Sequence, residues 1–116
     1  MTPLFPSATA MPGGYADITP AELGQRPPGI RLVDVREPDE FVGELGHAPG
    51  ALLVPLATIG EACAAWNKSE PLVLICRSGN RSSRAALLLA NQCFLHLYNL
   101  RGGMMAYGAA GLPTER

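Results

Sequence analysis

Charge is scarce in this chain. Only 16% of its 116 residues are Asp, Glu, Lys or Arg and they sum to a net −1, so the overall balance attracts neither nucleic acid nor an anionic membrane. Cysteine is equally sparse. Cys63, Cys76 and Cys93 are odd in number, form no CxxC pair and lack zinc-ligand spacing, which excludes a disulfide framework and points to a reducing compartment with no metal or cofactor. Lysine and arginine are missing from Met1 to Gly14, and no apolar run there is long enough for a signal peptide or a membrane span. The expected location is the cytoplasm. Internal repeats are absent as well, and 116 residues with 47% apolar content suffice for a single core.

Residues 1–14 are rich in Pro, Gly, Ser, Thr and Ala and read as a flexible N-terminal lead, with the folded domain over 15–116. Ala16-Asp17-Ile18 reads as a short strand. Thr19-Pro20-Ala21-Glu22 then carries a helix start: N-cap threonine, proline in the first turn, glutamate at the third position. The β-branched run from Ile30 to Val35 predicts a strand buried on both faces, and Glu37 to Phe41 a brief helix. Further strands are expected at Leu52–Val54, Leu72–Ile75 and His96–Leu100, with helices at Thr58–Trp66, Ser82–Gln92 and Met104–Ala110. Such alternation predicts an α/β fold, a small parallel-sheet core flanked by helices on both faces, with ligands beyond the carboxyl ends of the strands.

The most informative stretch lies at one of those ends. Val73-Leu74-Ile75 delivers Cys76 into the turn Arg77-Ser78-Gly79-Asn80-Arg81, and an alanine- and leucine-rich helix follows. A thiol at such a helix start meets free backbone N–H groups and the positive end of the macrodipole, which lower a cysteine pKa from about 8.5 to roughly 3.5–7.5. Ser, Gly and Asn let the turn curl into an anion-binding nest.

Four blocks occur in order: Leu32-Val33-Asp34-Val35-Arg36-Glu37-Pro38-Asp39-Glu40-Phe41, Gly46-His47-Ala48-Pro49-Gly50-Ala51, Cys76-Arg77-Ser78-Gly79-Asn80-Arg81-Ser82 and Asn99-Leu100-Arg101-Gly102-Gly103. In these the chain resembles the rhodanese-like sulfurtransferases. The resemblance implies a single-domain enzyme of the thiosulfate sulfurtransferase type. It would take sulfane sulfur from a small donor such as thiosulfate, hold it as a persulfide on Cys76, and pass it to cyanide or a thiol, a protein thiol included. Cys76 is then the catalytic residue; Arg77, Ser78, Gly79, Asn80, Arg81 and Ser82 bind substrate; Asp34 and Arg36 support the loop. Arg77 and Arg81 are assigned to the donor's oxyanion, against the alternative of solvated arginines or pairs with Asp34 or Glu37. Ser82 either donates to the sulfur or caps the helix, as Ser83 also can. His47 is expected to stabilise its turn rather than act as a base, because an ionised thiol needs none. Cys63 and Cys93 are read as non-catalytic.

Three other functions compete. Phosphatases and arsenate reductases of the same fold resemble Cys-x5-Arg, whereas only four residues separate Cys76 from Arg81, so this cup is tighter. An interaction module generally lacks the nucleophile, which this chain keeps. A sulfur carrier serving a protein partner would use the same loop. Short loops and few nearby charges suggest a shallow, exposed site that admits a protein thiol.

Overall fold

The computed structural model describes residues 4–116. Six strands form one sheet in the order β1-β2-β6-β5-β3-β4: β1 Thr9–Met11, β2 Tyr15–Ile18, β3 Arg31–Asp34, β4 Leu52–Leu53, β5 Leu72–Ile75 and β6 Leu97–Leu100. All neighbours are parallel except β1, which runs antiparallel to β2. The helices are α1 Pro20–Gly24, α2 Pro38–Phe41, α3 Ile59–Ala62, α4 Asn80–Asn91 and α5 Gly103–Ala109, with a 3-10 turn at Leu56–Thr58. The chain is thus an α/β fold with a central sheet flanked by helices.

The period of a strand builds two cores. Along β5, Leu72, Leu74 and Cys76 point to one face, where they meet Val33, Ile59, Ala85, Ala86 and Leu89. Val73 and Ile75 point to the other, where they meet Ile18, Leu23, Leu100, Met104 and Tyr107. The first core lies under α3 and α4, the second under α1 and α5. Thr19 caps α1 through a reciprocal pair of hydrogen bonds with Glu22, as the sequence pattern implies.

Most elements lie within a residue of expectation, and two helices depart further. The helix expected over Thr58–Trp66 is a 3-10 turn followed by one α turn, and the helix expected from Ser82 starts at Asn80, with Gly79 as its N-cap at φ +103°. The larger difference is the N-terminal segment, whose first three residues lie outside those described. Rather than trailing as a lead, Thr9–Met11 pairs with Tyr15–Asp17, and Phe5 is buried edge-on against Tyr98 at 4.8 Å between ring centroids. The composition that suggests flexibility is that of a tight hairpin: Gly13 and Gly14 take φ +101° and +95°, open to glycine without strain. Phe5→Ala should therefore destabilise the fold by about 3 kcal/mol. Urea unfolding checks this, and an unchanged midpoint would mean that the segment does not pack.

Candidate active site

Cys76 follows β5 directly, and the next three residues form a turn before α4. Its sulfur accepts from the Gly79 N–H at 3.0 Å and lies 3.2 Å from Ser82 Oγ. Burial alone pushes the thiol's pKa up. That push is overcome by the Ser82 hydroxyl and by the main-chain N–H groups of Ser82, Gly79 and Ser78, so the pKa falls below the ordinary cysteine value.

Two carbonyls at the start of the loop are held outward, and the peptide unit of the second carries the Ser78 N–H that serves the sulfur. Met104 N donates to the Cys76 carbonyl at 2.8 Å and Met105 N to the Arg77 carbonyl at 3.0 Å, both from the first turn of α5. Helix starts have free N–H groups, and here they clamp the loop. The contact requires Gly103. A Cβ there would lie 2.5 Å from the Cys76 and Arg77 carbonyl oxygens, and φ is +58°. Gly102-Gly103 belongs to a recognised block, yet its part in holding the loop is not readable from the chain alone.

The loop residues divide by direction. Gly79 and Ser82 are buried against the sulfur, while Arg77, Ser78 and Asn80 are exposed. Ser82 is no cap: its hydroxyl points into the core, bonded to Asn99. Arg81, expected on the donor's oxyanion, instead grips Glu40 with two hydrogen bonds of 2.7 and 2.8 Å. The partner is neither Asp34 nor Glu37. Asp34 is occupied by Arg36 in a buried pair at 2.8–3.2 Å, and Glu37 is engaged at the start of α2. Arg36 spends its remaining reach on the Gly46 carbonyl at 2.7 Å, so this pair braces the 43–50 turn rather than the cysteine loop. His47 Nδ1 donates to the Phe41 carbonyl at 2.7 Å and its ring stacks on Phe41, which leaves it structural.

A shallow, exposed cup is not what results. Cys76 is 1% exposed, and the cleft of about 240 Å³ adjoining Arg77, which Cys76 does not line, is bounded by Arg36 and Arg77 but also by Asp39, Glu40 and Glu44. Short loops suggested openness; the sulfur is covered because the loop folds over it.

Asn99 and Asp17 were not singled out by sequence reasoning. Asn99 accepts from Ser82 and donates to Asp17 at 3.0 Å, and Asp17 pairs with Arg101. Asn99 opens the fourth family block without a role assigned to it, and the signal of Asp17 is polarity in an otherwise uncharged strand. Cys63 is buried in the first core and Cys93 is exposed, each a free thiol. Among the described residues no group of three His, Cys, Asp or Glu side chains gathers to hold a metal.

Comparison with known proteins decides the family. A model of the rhodanese-like domain matches residues 19–110. The chain belongs to the rhodanese-like family. Thiosulfate sulfurtransferase GlpE of Pseudomonas aeruginosa is 33% identical over 90 residues, 77% of this chain and 80% of that protein. The uncharacterized protein slr1261 of Synechocystis is 39% identical over 87 residues, 75% of this chain and 48% of that protein. The chain thus spans about half the length of that relative. A rhodanese-related protein from Thermoplasma volcanium has a solved structure with TM-score 0.75 and 26% identity, covering 84% of this chain and 94% of that one. In this chain the turn that begins at Cys76 carries Arg81 into its pair with Glu40.

That pair makes a pH prediction. Arg81 draws the Glu40 carboxyl from 4.5 down to about 2, against a smaller upward push from burial. A carboxyl with a lower pKa in the folded state stabilises the fold above its unfolded pKa and loses that contribution as pH falls from about 4.5 toward about 2. Glu40→Gln removes this component. Urea unfolding should show wild type more stable near neutral pH and the difference shrinking in acid; a gap independent of pH would contradict the pairing.

Proposed function

We propose that this rhodanese-like domain is a sulfurtransferase that carries sulfane sulfur as a Cys76 persulfide, with thiosulfate or a related small anion as donor. The observation that supports it most is the Cys76 sulfur under inward-turned N–H groups. They stabilise a thiolate before reaction and the anionic outer sulfur after it. The thiolate attacks the outer sulfur of thiosulfate; a Cys–S–S⁻ bond forms, the donor's S–S bond breaks, and sulfite leaves with the bonding pair. In the second half-reaction cyanide or a thiolate attacks the outer sulfur, and the Cys76 thiolate leaves unchanged. Charge and electrons balance in each step without cofactor or metal.

Size favours sulfur over phosphate. An S–S bond is about 2.05 Å, so the transferred atom stays within the turn. Four intervening residues make that turn shorter than the Cys-x5-Arg loop of phosphatases and arsenate reductases, to which the chain is not similar at this point. Arg81 does not supply the free cation expected of it. Arg77 makes no ion pair among the described residues and lines the adjoining cavity, so it is the better candidate to meet the donor's charged end. With Cys76 nearly covered, a small donor fits this reading better than a bulky one. A thiol of a protein partner is the remaining alternative as acceptor. The proposed setting is cytoplasmic; no described helix is long and apolar enough to cross a membrane.

Mass spectrometry after thiosulfate treatment tests the proposal. One added sulfur atom should appear on the peptide containing Cys76, disappear with cyanide, and never form in Cys76→Ser. Sulfur found only on Cys63 or Cys93, or none at all, would overturn it.

A further inference from the structure

Ser82 has one hydroxyl proton and two claimants. Its Oγ lies 3.2 Å from Cys76 Sγ and within hydrogen-bond distance of Asn99 Oδ1. The Asn99 amide is not free to turn, because its Nδ2 donates at 3.0 Å to the carboxylate of Asp17, which accepts only. An acceptor therefore always faces Ser82. Both Ser82 and Asn99 are buried, so water does not supply the missing partner.

The consequence depends on the charge at Sγ. When Sγ is a thiol, its S–H donates to Ser82 Oγ, Ser82 donates to Asn99, and every group is satisfied. When Sγ is the bare thiolate it needs the Ser82 proton, and giving it up sets the Ser82 and Asn99 oxygens lone pair to lone pair. In a persulfide the inner Sγ is neutral and the charge sits on the outer sulfur, so Ser82 donates to Asn99 without conflict. We propose that Asn99, fixed by Asp17, is a positioning residue that competes with Sγ for the Ser82 proton, limits what that hydroxyl lends the thiolate, and so favours the sulfur-loaded form over the free thiolate. The persulfide half rests on the sulfurtransferase reading; the proton half does not.

Of the other charged groups around Cys76, all but Arg77 are committed to ion pairs. Arg81 is held by Glu40 and Arg36 by Asp34, Arg77 is exposed on the loop, and Arg101 pairs with Asp17 from the surface at 3.4 Å. Two substitutions release the Ser82 proton by different routes. Asn99→Ala removes the competing acceptor and keeps the Asp17 charge. Asp17→Asn is nearly isosteric and lets the Asn99 amide turn, so that it donates to Ser82. Arg101→Gln removes the surface ion pair and leaves the amide fixed.

The test follows iodoacetamide modification of Cys76 against pH by mass spectrometry. The midpoint should fall by about one unit, a tenfold change in the ionisation constant, in both Asn99→Ala and Asp17→Asn, and should stay in Arg101→Gln. A second readout is the fraction of Cys76 loaded at a fixed ratio of thiosulfate to sulfite, which should fall about tenfold in its equilibrium constant in Asn99→Ala. An unchanged or raised midpoint in the folded variants overturns the proposal. Should wild type take up no sulfur while the midpoints still fall, the proton assignment stands and the sulfurtransferase reading fails instead.

Discussion

Two carbonyl oxygens, those of Cys76 and Arg77, are tied to the first turn of α5, and the site depends on that tie. A peptide unit that presents its oxygen to one side presents the N–H to the other, so fixing these oxygens helps turn the following amides on the sulfur. The tie is possible because Gly103 has no Cβ to strike the loop. It is rigid because Met104 and Tyr107 anchor α5 in the second core, on the face of the sheet opposite the first core that receives the cysteine side chain. Tyr107 adds a 2.6 Å hydrogen bond to the Pro113 carbonyl. Packing on one face thereby sets electrostatics on the other.

Charge around the sulfur is arranged in closed pairs: Asp34 with Arg36, Glu40 with Arg81, Asp17 with Arg101. A paired cation attracts a neighbouring anion less than a free one, so stabilisation of the thiolate falls to dipoles. Main-chain N–H groups suit that task. They are already oriented, they are shielded from water, and they need not reorganise when the charge at the sulfur changes. Few residues change protonation in such a site.

Local chemistry was legible in the sequence; long-range partner choice was not. The strand–cysteine–turn–helix unit reads directly, since apolar runs, a glycine-bearing turn and a helix-forming stretch lie side by side from Val73 to Leu89. The family blocks and the α/β order read equally well. The partner of Arg81 was not legible because Glu40 lies 41 residues away and only the placement of α2 brings it near. Asp34 and Glu37 are closer in type and family context, yet each has a local commitment. Asn99 and Asp17 escaped for a similar reason: Ser82 reaches Asn99 across 17 residues and Asn99 reaches Asp17 across 82. The N-terminal hairpin was hidden differently. Its Pro-Gly-Gly turn has the composition of a flexible tail, and only the packing of Phe5 on Tyr98 distinguishes the two.

The account stands on Cys76 being ionised by the turn that surrounds it. Thiolate ultraviolet absorbance, taken as the difference between wild type and Cys76→Ser across a pH titration, measures this directly. A midpoint below the roughly 8.5 of a free cysteine is the result the geometry requires. A midpoint at or above that value, in protein shown to be folded, would mean that burial outweighs the amides and would contradict the account.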